Sequence, residues 1–453
     1  MEYVLISEKD NVKVCLDNGH KYAVRDIKKG EQIIKYGFPI GVACEDIKKG
    51  EQVHSHNLKT SLAGTLEYTY SPDFEYPEST EPAVINAYER KNGDIGIRND
   101  VWIIPTVGCI NSIAKVLADK AGAFCFTHPY GCSQLGGDLE VTQKVLCGLV
   151  KHPNAGGVLV LGLGCENNNI AEFKKTLGEY DEERIRFLNC QDFDDEIAEG
   201  VKIITELQSL AENDTRTAVS ISRLKIGLKC GGSDGLSGIT ANPLCGKITD
   251  RLVSMGGTAV LTEVPEMFGA EQVLMNRCVD ENVFTETVGL INNYKEYFIS
   301  HNQPVSENPS PGNKEGGITT LEEKSLGCVQ KGGTSPVTTV LDYGDTAEKA
   351  GLNLLNGPGN DMVAVTNLTA AGCHLILFTT GRGTPLGAPV PTIKIATNSA
   401  IAERKKSWID FDAQTGNQNS LFDLIIETAK GKETKNERYG YREIAIFKDG
   451  VTL

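Results

Sequence analysis

From Val101 onward the chain alternates short apolar runs with helical patterns, and this alternation restricts the fold more than any other feature. The apolar runs fall at 101–104, 123–127, 158–163 and 185–188, and the helical patterns at 111–119, 139–150, 170–177 and 193–210. Apolar runs spaced by helix-length segments predict a parallel sheet covered by its crossover helices. A second series starts with the run Leu224–Leu228. It continues through Thr258–Glu263 and a helical region over roughly 270–300, and reaches Leu375–Phe378. The stretch 1–64 differs, being dense in β-branched residues and short turns. The expected fold class is therefore multidomain: a small all-β N-terminal module, then α/β domains with mostly parallel sheets. The boundaries read as a β module over 1–64, a linker over 65–98, a first α/β domain over 99–222 and a C-terminal α/β domain over 223–453. At 453 residues the chain is long enough for each to bury a core.

In open α/β sheets ligands bind outside the carboxyl ends of the strands. Cys109, Cys132, Cys165 and Cys190 follow the four apolar runs in turn, and Cys230 closes the run at 224–228. Several thiols are thus candidates to converge on one crevice, although cysteine also serves as a small buried hydrophobe. The richest loop is 228–243, Leu-Lys-Cys-Gly-Gly-Ser-Asp-Gly-Leu-Ser-Gly-Ile-Thr-Ala-Asn-Pro. Its glycines let backbone amides approach a ligand, and Lys229, Cys230, Ser233 and Asp234 add a cation, a thiol, a hydroxyl and a carboxylate. Asn242 reads as the N-cap of a following helix with Pro243 at its first position. A plain glycine-rich strand–helix connection is the competing reading. Two more loops attract attention: Asn308–Gly317, rich in Asn, Pro and Gly, and Thr379-Thr-Gly-Arg-Gly-Thr-Pro385, which carries Arg382.

Within the β module, Asp-Ile-Lys-Lys-Gly-Glu-Gln occurs at 26–32 and again at 46–52. The repeat predicts two similar strand–turn–strand units. The second copy runs into Val53-His54-Ser55-His56-Asn57, and in a strand His54 and His56 share a face. Such a pair suits metal or acid–base work; a solvated strand end with incidental histidines is the alternative.

Composition removes several classes of function. A net charge of −15 argues against nucleic-acid and acidic-membrane partners. No apolar run approaches the ~20 residues of a membrane span, and the first residues lack a signal-peptide pattern. Thirteen widely spaced cysteines, an odd number, indicate a reducing cytoplasmic location rather than a disulfide scaffold. A homo-oligomer is compatible with everything above.

Six segments in order resemble the altronate/galactarate dehydratase family. They are His128-Pro-Tyr-Gly-Cys132, Leu163-Gly-Cys-Glu166, Lys229-Cys-Gly-Gly-Ser-Asp234, Gly238-Ile-Thr-Ala-Asn-Pro243, Asn308-Pro-Ser-Pro-Gly-Asn-Lys314 and Phe378-Thr-Thr-Gly-Arg-Gly383. The N-terminal stretch, with His-x-His-Asn at 54–57, is similar to the SAF-type module that begins these enzymes. The resemblance implies a hydro-lyase that converts a hexonate or hexarate to a 2-keto-3-deoxy acid and requires iron. Altronate stands first as substrate and galactarate second; related proteins eliminate sulfite from sulfolactate.

Such a dehydration needs a base for the α-proton, cations for the substrate carboxylate and polarisation of the leaving hydroxyl. His54 or His56 is the expected base, with His128 next. Lys229, Lys314 and Arg382 are the expected carboxylate binders, and Ser233, Asp234 and Asn242 the polar contacts. For iron, two arrangements stand open. One is mononuclear Fe2+ on His54, His56, Glu166 or Glu263. The other is a [4Fe–4S] cluster on Cys132, Cys165 and Cys230. A non-catalytic sugar-acid binding protein is the least favoured reading, since it leaves these groups without a task. A dinucleotide enzyme is rejected, because Val160-Leu-Gly-Leu-Gly-Cys165 lacks the third glycine of the phosphate loop.

Overall fold

The computed structural model describes residues 2–62 and 64–453. The β module is built from seven short strands: β1 (Tyr3–Val4), β2 (Val12–Cys15), β3 (Lys21–Ala23), β4 (Gln32–Lys35), β5 (Phe38–Ala43), β6 (Gln52–Val53) and β7 (Leu58–Lys59). They form two antiparallel sheets, ordered β1-β2-β3-β6 and β4-β5-β7. The two heptapeptide copies face each other, with Ile27 and Ile47 exchanging backbone hydrogen bonds of 2.9 and 2.8 Å. Asp46 accepts from the Lys29 amide and from Lys28 Nζ, both at 2.9 Å. Asp26 does the same for the other copy, at 3.0 Å from the Lys49 amide and 3.4 Å from Lys48 Nζ. Gly30 and Gly50 turn at φ +84° and +86°, which glycine adopts without strain.

Past the module, β8 (Val84–Glu89) and β9 (Ile95–Gly96) pair antiparallel, and β8 also pairs with the later β14 (Thr217–Ser220). Between them lies the first α/β unit. Its strands are β10 (Asp100–Pro105), β11 (Phe124–Cys125), β12 (Ala155–Gly162) and β13 (Ile185–Asn189), and its helices α1 (Asn111–Ala121), α2 (Gly137–Val150), α3 (Ile170–Leu177) and α4 (Glu196–Glu212). The sheet is wholly parallel, in the order β11-β10-β12-β13.

A larger parallel sheet follows, built from β15 (Lys225–Cys230), β16 (Thr258–Leu261), β17 (Val337–Leu341), β18 (Gly351–Leu355), β19 (Leu375–Thr380), β20 (Thr392–Ala396) and β21 (Phe411–Asp412). Its order is β17-β18-β16-β15-β19-β20-β21. The helices that position the site are α5 (Ala241–Ser254), α6 (Glu271–Met275), α7 (Glu281–Ser300), α8 (Pro311–Glu315), α9 (Leu321–Cys328) and α10 (Asp361–Ala370). The central strands are buried along their whole length, as expected of a sheet covered on both faces. The helical region expected over 270–300 is two helices, broken around Cys278.

The two parallel sheets share one core. Trp102, Ile104 and Val158 of the smaller pack in the same cluster as Val260, Ile376 and Phe378 of the larger. Helices α2 and α10 meet so closely that a Cβ at Gly148 would lie 2.5 Å from the Ala370 carbonyl oxygen. Among the described residues no helix is long and apolar enough to cross a membrane.

Candidate active site

All strands of the larger sheet run the same way, so their carboxyl ends form one edge, and charged groups collect there. Strand β15 ends in Lys229 and Cys230. The Lys229 ammonium is fully buried; it ion-pairs with Glu263, reaches Asp361 at 2.9 Å and donates to the Cys230 carbonyl at 2.7 Å. Burial works against its charge, but Glu263, Asp361 and Glu266 together hold it protonated well past the usual lysine range. Glu263 follows β16 with φ +72°, a left-handed conformation that a non-glycine residue keeps only where its surroundings enforce it. Here the enforcement is visible: its second carboxylate oxygen accepts from the Cys230 amide at 2.9 Å and from Lys331 Nζ at 3.3 Å. Burial and the neighbouring Glu266 charge push the Glu263 carboxyl upward.

Glu266 is the hinge between charge and sulfur. One oxygen pairs with Lys324 at 2.8 Å; the other lies 3.2 Å from Cys230 Sγ and 3.0 Å from Cys328 Sγ. The two sulfurs are 3.3 Å apart, and Ser233 Oγ stands 3.1 Å from Cys230 Sγ. Burial alone would raise the Glu266 carboxyl, but Lys324, Lys229 and Lys331 draw it well below the carboxylate range. The contact with Cys230, then burial, push the Cys328 thiol far upward. Among the described residues, Cys230, Glu266 and Cys328 are the one group of three histidine, cysteine or acidic residues whose ligand atoms lie within 4.8 Å of one another. Two soft sulfurs and one carboxylate oxygen suit a single divalent, thiophilic ion, so this donor set fits mononuclear iron.

Above this buried layer a strip of groups reaches solvent. His54 is half-buried and its Nε2 lies 2.9 Å from the Lys314 carbonyl, while Nδ1 lies 3.0 Å from Ser55 Oγ. A carbonyl only accepts, so its partner Nε2 carries the proton and Nδ1 is left as the basic atom. Glu315, next to Lys314, holds Arg382 at 2.7 Å, and the Arg382 side chain lies against Gly232. The Lys314 ammonium has no partner among the described residues. A cleft of about 560 Å3 adjoins this edge at the ends of β17 and β18, lined by Asp342, Tyr343, Asn356, Gly357 and Pro358. Just past its Gly357-Pro358 wall the loop touches the buried layer, where Lys229 Nζ donates to the Gly359 carbonyl at 3.3 Å. The β module closes the opposite side: Tyr36 faces Ser233, Lys324 and Cys328 across a space of about 10 Å3, room for about one water.

Several residues singled out in the sequence do other work. His54 and His56 lie in a turn rather than on one strand face, because Asn57 Oδ1 accepts from the His54 amide at 2.9 Å and ends β6 at Val53. His56 is exposed and stands apart from the strip. His128 is buried with both ring nitrogens committed, Nε2 to the Pro105 carbonyl at 2.8 Å and Nδ1 to the Tyr130 amide at 3.2 Å. Burial pushes its pKa down to about 4, so it is a neutral pin for its loop. Asp234 spends its carboxylate on Ser237, Thr397, Asn398 and the Leu236 amide. Asn242 is not an N-cap: α5 begins at Ala241 with Thr240 before it, and the buried Asn242 amide joins Thr379 Oγ1 (2.7 Å) to the Gly327 carbonyl (3.0 Å). Cys132 and Cys165 are exposed at the end of the smaller sheet, whereas Cys230 is buried with Cys328. Glu166 turns its carboxylate onto Thr106 and two backbone amides.

Glu266, Cys328, Lys324, Lys331 and Asp361 were not singled out in the sequence. Glu266 had a faint signal, as the second acid of Glu263-Val-Pro-Glu266 at a strand end; the others had none.

Three family models together cover most of the chain. Residues 6–61 match the altronate/galactarate dehydratase SAF domain, 87–212 the second domain of D-galactarate dehydratase/altronate hydrolase, and 221–452 the C-terminal D-galactarate/altronate dehydratase domain. An altronate dehydratase from Escherichia coli (strain K12) is 51% identical over 100% of both chains. One from Bacillus subtilis (strain 168) is 50% identical over 99% of this chain and 94% of its own. A galactarate dehydratase (L-threo-forming) from Escherichia coli (strain K12) is 31% identical over 95% and 90%.

Proposed function

Since the chain belongs to the altronate/galactarate dehydratase family, we propose that it is a hydro-lyase that dehydrates a sugar acid, altronate before galactarate, to a 2-keto-3-deoxy acid. The order of substrates rests on one observation: identity is 51% and 50% to two altronate dehydratases and 31% to a galactarate dehydratase, each over nearly the whole chain.

The substrate carboxylate meets two cations, the exposed Arg382 and the half-buried Lys314, at the carboxyl edge of the larger sheet. His54 Nδ1, oriented by the Lys314 carbonyl on the far side of the ring, takes the proton from the carbon beside the carboxylate. The imidazolium then returns that proton to the hydroxyl leaving the next carbon, water departs, and the enol product ketonises. Cys230, Glu266 and Cys328 would hold an iron ion, which when bound supplies Lewis-acid polarisation of a substrate oxygen. Lys229, Lys324 and Lys331 keep that acidic, sulfur-rich layer close to neutral. Asp234 and Asn242 keep the glycine loop in shape.

The test is direct. The protein, purified under anaerobic conditions with ferrous iron, is given D-altronate and galactarate separately, and 2-keto-3-deoxy acid is measured. Faster product formation from altronate is expected. Faster turnover of galactarate overturns the order of substrates, and no product from either acid overturns the reading.

A further inference from the structure

Of the thirteen cysteines, only Cys109, Cys132 and Cys165 are exposed, and all three stand at one place in the fold. They follow β10, β11 and β12, adjacent parallel strands of the smaller sheet, at their carboxyl ends. Free cysteine is usually among the most buried residue types, so three exposed thiols gathered at three neighbouring strand ends require an explanation other than packing.

The loops that carry them are stitched together. The Gly108 amide donates to the Tyr130 carbonyl at 2.8 Å, tying the Cys109 turn to the Cys132 loop. The Asn168 amide donates to the Gly131 carbonyl at 2.9 Å, and the Ser133 amide to Asn167 Oδ1 at 3.0 Å, so both neighbours of Cys132 are held by the turn that bears Cys165. Gly131 has φ +98° and no room for a side chain, since a Cβ there would lie 2.0 Å from the Thr106 carbonyl oxygen. Ser133 keeps a left-handed φ of +57°, a strained conformation for a non-glycine residue. The buried Glu166 carboxylate fastens the third loop, accepting from Thr106 Oγ1 at 2.6 Å and from the Leu163 and Gly164 amides at 3.0 and 2.6 Å.

Two polar groups are directed at the sulfurs themselves. Gln191 Nε2 lies 3.7 Å from Cys165 Sγ, and Ser133 Oγ lies 3.9 Å from Cys132 Sγ. Donors around sulfur stabilise thiolates and tune metal-bound sulfur. The spacing then excludes one ion shared by all three sulfurs. Thiolates on one tetrahedral ion at about 2.3 Å would crowd to about 4 Å of one another. These three do not meet a 4.8 Å mutual limit, which among the described residues only Cys230, Glu266 and Cys328 meet. An iron–sulfide cube holds its thiolates further apart than one ion does.

We propose that Cys109, Cys132 and Cys165 hold a cubane iron–sulfur cluster at the carboxyl end of the smaller sheet, with its fourth iron facing solvent. This site is separate from the Cys230–Glu266–Cys328 group and does not depend on the substrate named above.

The full-length protein is reconstituted anaerobically with ferrous iron and sulfide, desalted, and assayed for bound iron, acid-labile sulfide and visible charge-transfer absorption. The parent is expected to retain sulfide, and Cys109→Ser, Cys132→Ser and Cys165→Ser each to lose most of it with unchanged circular dichroism. Cys328→Ser is expected to keep sulfide at the parent level. A parent that retains no sulfide overturns the proposal, as does retention of parent-level sulfide by all three variants at the exposed thiols. Loss of sulfide in Cys328→Ser but in none of those three moves the cluster elsewhere and equally overturns it. Since the readout is sulfide, its failure is distinguishable from failure to turn over altronate.

Discussion

Glu323→Gln tests how the β module is fixed to the rest of the molecule. Glu323, on α9, places one carboxylate oxygen 2.7 Å from Lys21 Nζ and the other 2.8 Å from Lys35 Nζ, and all three side chains are almost fully buried. Both lysines belong to the module, so one carboxylate neutralises two ammonium groups across the interface. The oxygen that faces Lys21 also accepts from the Thr319 amide at 2.8 Å. The glutamine keeps the shape and removes the charge. Breaking a buried pair by neutralising one partner costs about 3–5 kcal/mol. If that cost falls on docking, the undocked fraction rises roughly 150- to 5000-fold. Hydrogen exchange of the β3 and β4 amides, with limited proteolysis in the 65–82 stretch, measures this without unfolding the α/β domains. Exchange and cleavage within about threefold of the parent would refute the reasoning. The triple variant Lys21→Met, Lys35→Met, Glu323→Leu is expected to recover most of the loss, because apolar replacement of a buried ionic group is often neutral. The pH dependence has a definite sign. Burial would raise Glu323, but Lys21 and Lys35 draw it down to about 2 from 4.5. Its contribution is therefore complete above pH 4.5 and is lost as pH falls toward 2.

Two further outcomes follow from other residues. His54→Gln is expected to lower kcat by about 10²- to 10⁴-fold while leaving thermal unfolding unchanged, and a loss below threefold would remove His54 from proton transfer. Lys394 is buried over the Phe378 ring at 3.8 Å, with Thr384 accepting at 3.1 Å, and burial lowers its pKa to about 7 from 10.5. Between those values the unfolded chain holds a proton that the folded chain lacks, so this group makes stability rise with pH by up to about 1.4 kcal/mol per unit. Urea unfolding of Lys394→Met from pH 7 to 10 is expected to show a flatter slope than the parent, and equal slopes would contradict the assignment.

The parallel sheets were legible because strands buried on both faces must be written as continuous apolar runs, and those at 158–163 and 375–378 become β12 and β19. Places where side chains compete with the backbone read less well. Asn57 ends a strand that the β-branched pattern would have extended through His56. Ser310 and Asn313 cap each other's backbone and fold a short helix inside what composition presents as a loop. The helix after the glycine loop starts before Asn242, because the Ile239 and Thr240 amides already turn onto the Leu236 carbonyl. Of the compact sulfur–carboxylate group, Cys230 stood out because it ends an apolar run. Its partners did not: Glu266 is 36 residues away and Cys328 98, and no periodicity links such positions. Parallel crossovers bring distant strand ends together, so this part of the site is topological information rather than a local motif.

The facing repeats of the β module bear on how it folds. Each aspartate caps the turn of the other copy, through contacts that span 17 to 23 residues. Neither turn can be finished by its own neighbours, so the two are completed in a single closure event. The chain must first meet the entropy of closing that loop, after which both turns lock together. A module too small for a large core thereby gains an all-or-none character from reciprocity, and a change at one aspartate registers first at the turn of the other copy.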